Sequence, residues 1–420
     1  MTAEAVLDSG LSLRGRRNEE GEEPMNIQRP VTALSLRLPT SSGALEAFEM
    51  SAPRNFPDHV TGPLNRVALA AAHVVADPLA DGDPWLQPAV DWERTIAYRE
   101  YLWGLGLGVA EAMDTAQRGM GLDWPMALDL VKRSVAAAKA RGNAVVFSGA
   151  GTDHLDPAAA RNVEDVIRAY EEQLAAIEAV GGRIILMASR ALARVAKGPD
   201  DYVRVYDRIL AQAKEPVIIH WLGDMFDPAL AGYWGSTDLD EAMETALAVI
   251  NANAAKVDGV KISLLDKDKE IAMRRRLPKS VRMYTGDDFN YAELIAGDDQ
   301  GYSDALLGIF DAIAPAAAAA LSALAKDDLA TFHDVFAPTV PLSRHIFKAP
   351  TRFYKTGVVF MAYLNGHQDH FTMVGGQESA RSTLHLSELF RLADRAGLFR
   401  DPEKAAARMR AVMQVRGVEA

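Results

Sequence analysis

One lysine stands where a lysine is costly. Lys261 lies inside Val257-Asp258-Gly259-Val260-Lys261-Ile262-Ser263, a run that reads as a core strand. A side chain between Val260 and Ile262 in such a strand cannot easily reach water, and a buried ammonium is expensive unless it is paired or neutral. Burial lowers the pKa of the amine, and a neutral amine can condense with a carbonyl compound. The resulting iminium is an electron sink, which allows the neighbouring carbon–carbon bond to be made or broken. The alternative for Lys261 is a structural lysine paired with an acid.

His220 ends a second apolar run, Pro216-Val217-Ile218-Ile219-His220. A histidine titrating near neutrality can carry protons at such a place; it can equally be a satisfied core histidine. Other polar residues end further runs: Asp114, Thr115 and Gln117, then Ser189, Asp224 and Ser263, then Gly286, Asp287 and Ser303. His73, Asp114, His154 and His220 support a different chemistry, since two or three histidines with carboxylates suit a divalent metal such as Zn, Mn or Fe. No His-x-x-x-His pair falls in this region, so those ligands would come from separate strands.

The elements that must position these residues follow one pattern. From Arg66 to Leu307, eight short apolar runs alternate with segments whose apolar residues recur every three or four positions. That alternation predicts βα units around a parallel sheet, and eight units in about 250 residues predict one (β/α)8 TIM barrel. Reactive residues then belong at the C-terminal ends of the strands, where the βα loops converge. The organisation read from the chain is a disordered tail over 1–30, an N-terminal hairpin or cap over 31–64, the barrel over 65–312, and a C-terminal helical extension over 313–420. Met25 is an alternative start. The expected helices of the extension run from Pro315 to about Phe336, from Thr351 to Leu364 and from Ser379 to Ala396. Tyr354, Lys355 and Asn365, with the His367–His370 segment, are expected either to pack against the barrel or a neighbouring subunit, or to cover the barrel's mouth.

Four segments, in this order, resemble the dihydrodipicolinate synthase and N-acetylneuraminate lyase family of class I aldolase barrels, as a divergent branch. Val145 to Leu155 resembles the third strand and its Gly-rich loop. Pro216 to Gly223 resembles the fifth strand, Gly259 to Ser263 the sixth, and Tyr284 to Ser303 the seventh and eighth. The resemblance covers roughly residues 65–330. It implies a lyase in which Lys261 forms the Schiff base, with no cofactor beyond that covalent lysine, and it implies a homodimer or homotetramer.

The departures bear on the substrate. His220 stands where the family has a proton-relaying tyrosine. Met113-Asp114-Thr115-Ala116-Gln117 replaces a Gly-Thr-Thr-Gly-Glu stretch that holds the carboxylate of a 2-oxo acid, so Asp114 would repel that carboxylate. Gly223-Asp224-Met225 lacks the arginine of the synthases. The expected substrate is therefore a small carbonyl compound, a keto-sugar or sugar-derived acid, rather than pyruvate. Lys261 and His220 are the expected catalytic pair. Thr115 is expected to position the substrate, with Asp114 and Asp224 accepting hydrogen bonds from its hydroxyls. Two other readings stay open: a divalent-metal-dependent barrel isomerase or lyase, and a non-catalytic sugar-binding or regulatory barrel.

Composition narrows the classes further. The 420 residues are 49% hydrophobic and 24% charged, which suits a large buried core. A net charge of -12 gives no basic face for nucleic acid. With no cysteine, thiolate metal sites and a cysteine nucleophile are excluded. The charged N-terminal stretch has no apolar run after it, so no export signal is expected, and no run is long enough to span a membrane. The expectation is a cytoplasmic enzyme with no nucleic-acid or membrane partner.

Overall fold

The computed structural model describes residues 34–142 and 144–418. The tail read over 1–30 and the alternative start at Met25 lie outside the described residues. The described chain opens with an antiparallel hairpin, β1 (Ser35–Pro39) and β2 (Leu45–Glu49). Leu36 and Leu38 alternate inward on β1 and are buried. The Arg391 guanidinium from a C-terminal helix donates to the Leu38 carbonyl at 3.2 Å.

Eight parallel strands follow: β3 (Ala68–Ala71), β4 (Gly108–Glu111), β5 (Val146–Ala150), β6 (Arg183–Leu186), β7 (Val217–Leu222), β8 (Val257–Ser263), β9 (Arg282–Thr285) and β10 (Asp304–Leu307). Each pairs with the next in chain order, and β10 pairs back onto β3, so the sheet closes into a (β/α)8 barrel. The helices between strands start and stop where local chemistry dictates. Asp123 caps Trp124–Ala140 by accepting from the Met126 N–H, Pro125 sits in its first turn, and Gly142 follows it at φ +87°.

Period two decides what faces the barrel axis. Val260 and Ile262 belong to the apolar layer between sheet and helices. Phe147, Ile185, Ile218, Tyr284 and Leu306 fill the barrel interior. His220, two residues past Ile218, and Lys261, between Val260 and Ile262, therefore point inward. The pairing of β7 with β8 slips by one residue after Val217, making Asp258 an extra residue in β8. Its carboxylate accepts from the Tyr284 hydroxyl at 2.6 Å. Gly259 leaves room for that ring, because a Cβ there would lie 2.5 Å from Tyr284 Cε2.

The C-terminal extension is more broken than its hydrophobic pattern predicts. The single helix expected from Pro315 to Phe336 is two, Ala314–Leu324 and Leu329–Phe336. Asp327 takes φ +60° between them and Asp328 caps the second. Thr339–Ile346, Tyr354–Leu364, Thr383–Arg395 and Pro402–Val415 complete it. No helix among the described residues is long and apolar enough to cross a membrane.

Candidate active site

At the C-terminal end of the barrel a small chamber of about 20 Å³ is lined by Lys261, His220, Ser263, Asp114, Thr115 and Asp288. Phe347 and Tyr354, from the C-terminal extension, also line it. His220 and Lys261 are register partners on β7 and β8, so their side chains leave the sheet side by side. His220 Nε2 lies 3.1 Å from Ser263 Oγ, and its Nδ1 has no partner among the described residues. The Tyr354 hydroxyl meets the Thr115 hydroxyl at 2.8 Å. Asp288 accepts from the Ile309 N–H at 2.9 Å, which fixes its carboxylate against the chamber.

The Lys261 amine forms no ion pair with either acid that shares the chamber. Burial holds it below the ordinary lysine pKa, while Asp288 and Asp114 pull the other way. Burial pushes the Asp288 carboxyl up to about 7, against the opposing effects of the Ile309 N–H and of Lys261. Burial, and then the neighbouring Lys261, drives His220 well below the usual histidine value. Near neutrality the chamber therefore holds an amine with reduced basicity, a carboxyl poised between its two forms, and a neutral imidazole.

Two larger cavities border it and share part of its lining. One, of about 360 Å³, shares Asp114, His220 and Leu222 with the chamber and runs past Trp124, His154 and Leu230. The other, of about 400 Å³, shares Asp114, Leu222, Phe226 and Tyr354 and runs under Arg352 and Lys355. Arg118 stands between the loops of β4 and β5. It pairs with Asp153 at 2.6 Å and donates to the Gly149 carbonyl at 2.6 Å and to Gln173 at 2.6 Å.

The structure brings together Lys261, His220, Asp114, Thr115 and Ser263. Gly286 adjoins them: a Cβ there would stand 2.8 Å from Lys261 Cε and 2.4 Å from Ser263 Oγ. Five other residues read as substrate contacts lie elsewhere. The Gln117 side chain donates to the Val74 carbonyl at 3.1 Å and accepts from the Val374 N–H at 3.0 Å, so both ends are used by backbone. Ser189 caps helix Arg190–Val195 and bonds Thr152 at 2.6 Å. Asp224 is exposed in the turn after β7, and Asp227 lines the cavities instead. Asp287 accepts from the Phe289 and Asn290 N–H groups at 2.8 and 3.0 Å, holding the loop that presents Asp288. Ser303 precedes β10, which places it at the opposite end of the barrel, where it donates to Glu270 at 2.7 Å.

The four residues read as metal ligands are dispersed. His73 Nδ1 faces Asp311 at 2.8 Å, and His154 lies between Gln173 and Glu172, while Asp114 and His220 line the chamber. No group of three or more acids and histidines suited to a metal ion occurs among the described residues. Asp287 and Asp288 both stand at this strand end in the sequence, and Asp288 is the one that lines the chamber with Lys261. Either aspartate of Asp287-Asp288 satisfies the strand-end signal, and only the turn decides which one faces inward.

Residues 36–418 match the model of the family described as "Protein of unknown function (DUF993)", and the chain belongs to that family. No curated protein matches it in sequence. Among solved structures it is similar to 4-hydroxy-tetrahydrodipicolinate synthase from Methylacidiphilum fumariolicum SolV, at 14% identity and TM-score 0.58, covering 82% of this chain and 98% of that one. It is also similar to dihydrodipicolinate synthase from Thermotoga maritima, at 15% identity and TM-score 0.57, covering 79% and 100%. The enzyme of the same name from Aquifex aeolicus gives 13% identity and TM-score 0.55, covering 84% and 98%. At these identities the likeness is one of fold, and the fold is the one the four sequence segments imply.

Proposed function

We propose that the protein is a lyase of the class I aldolase type, acting on a small carbonyl compound, a keto-sugar or sugar-derived acid, through an iminium at Lys261. The observation that carries this reading is a buried lysine amine, without an ion-pair partner among the described residues, bordering a small chamber with a carboxyl pushed up to about 7 beside it. The barrel fold shared with dihydrodipicolinate synthases supports it.

The chemistry balances on the residues present. The neutral Lys261 amine attacks the carbonyl carbon. The carbonyl oxygen leaves as water, taking two protons from the nitrogen and the acid Asp288, and the iminium remains. The electron pair of the neighbouring carbon–carbon bond then moves into the iminium as a base takes the proton of the substrate hydroxyl, releasing an aldehyde. Protonation of the enamine and hydrolysis regenerate Lys261. Asp288 suits the proton steps better than His220, because a general acid or base works best with a pKa near the working pH. His220 stays neutral and directs Ser263. The Thr115–Tyr354 pair offers a hydroxyl to the substrate. A chamber of about 20 Å³ admits little more than a carbonyl group, so the rest of the substrate lies in the wider cavities. Borohydride reduction in the presence of carbonyl compounds, read as added mass on Lys261, tests the proposal.

A further inference from the structure

Lys355 is a charged side chain placed where charge is costly. It is 5% exposed, at the start of helix Tyr354–Leu364, and it lines the 400 Å³ cavity. The nearest atom bonded by its amine is the Met120 thioether sulfur, at 3.3 Å, which is a weak acceptor. Among the described residues no carboxylate pairs with it. Arg352, one turn away, also has no carboxylate partner among the described residues and lies over the Phe353 ring at 4.9 Å. The other cations of this cavity are committed, Arg118 to Asp153 and Arg190 to Asp227. Among the described residues the 360 Å³ cavity has the two guanidinium groups of Arg118 and Arg190, and both are paired.

We propose that the cavity under the C-terminal extension is a subsite for an oxyanion, a carboxylate or a phosphate at the far end of the substrate, received by Lys355 and Arg352. This rests on the iminium reading for the near end. Asp114, Leu222, Phe226 and Tyr354 line both spaces, so one molecule can place its carbonyl at Lys261 and its anion at Lys355. A buried cation without a partner favours an incoming anion, because the protein has already removed the water that would compete. Asp114 stands between the two ends, which sets the anion away from the carbonyl. A short 2-oxo acid, whose carboxylate adjoins the carbonyl, fits this layout poorly.

The test is calorimetric titration of inorganic phosphate and, separately, succinate into the wild type, Lys355→Gln, Lys355→Arg and Lys261→Ala. Binding in the wild type and Lys261→Ala, weakened about tenfold or more in Lys355→Gln and recovered in Lys355→Arg, is the expected result. Which of the two anions binds tells phosphate from carboxylate. No binding of either anion to the wild type, or equal binding to Lys355→Gln, overturns the subsite. Failure of the iminium reading would show differently, as an intact anion site in a protein that gives no reduced adduct at Lys261.

Discussion

Gly286 leaves the space that the Lys261 side chain occupies. A Cβ at residue 286 would stand 2.8 Å from Lys261 Cε and 2.4 Å from the Ile262 carbonyl oxygen. The carbonyl is backbone and cannot yield, so the lysine or the β9 loop must shift. Gly286→Ala is expected to destabilise the fold by about 1–3 kcal/mol, as overpacking does. It should also slow adduct formation at Lys261 far more than that loss of stability explains. Chemical denaturation paired with borohydride trapping measures both.

Asp288 sets the expected pH profile. Adduct formation needs Lys261 as the free amine and Asp288 as the acid. The rate should therefore rise with pH as the amine is freed, and fall as pH passes about 7, where Asp288 ionises. Asp288→Asn removes the alkaline limb and lowers the rate by about 10²- to 10⁴-fold, the usual worth of a positioned acid or base. An alkaline limb that persists in Asp288→Asn would assign the proton step to another group.

A second buried acid predicts a pH dependence of stability without touching the site. Burial pushes Glu270 up to about 8, and one of its carboxylate oxygens has no partner. Its folded pKa lies above its unfolded value. The folded state is therefore favoured below about pH 4.5 and loses that advantage progressively up to about 8. Glu270→Gln mimics the protonated form and should be more stable than the wild type by a few kcal/mol at pH 8.5, and close to it at pH 4.5. Melting curves across that range decide it.

Tyr354 reaches the chamber from outside the barrel to bond the Thr115 hydroxyl. Tyr354→Phe keeps the packing of the ring on Phe347 and deletes only the hydroxyl. Stability should change by about 1 kcal/mol, the net worth of one hydrogen bond. Turnover should fall by more than that figure if the hydroxyl serves the substrate. Equal losses of stability and turnover would make the contact structural only.

Much of this arrangement is legible in the sequence, and the reasons are physical. A lysine between Val260 and Ile262 in an apolar strand faces the axis because strands alternate and the outer layer must be apolar. The same alternation carries His220 inward. The failures fall where long-range packing decides. Ser303 reads as a strand end, yet β10 starts one residue later, and that reverses which mouth it serves. Gln117 and Ser189 read as polar loop residues, but backbone groups left over by Val74, Val374 and Leu192 claim their side chains. Choosing Asp288 over Asp287 depends on an Asx turn whose geometry no spacing reveals. Tyr354 and Lys355 fall in the polar–aromatic stretch expected to cover the mouth or pack against the barrel. Their path into the cavities depends on how the last hundred residues fold back.

The proposed chemistry turns on a covalent bond at one nitrogen. Wild type and Lys261→Ala are each reduced with borohydride beside pyruvate, dihydroxyacetone and a set of keto-sugars, and intact mass and peptide mass are read. An adduct is expected on the Lys261 peptide with a ketose-like compound, with pyruvate trapped poorly, and none in Lys261→Ala. No adduct with any carbonyl compound, or equal labelling of both proteins, would contradict it.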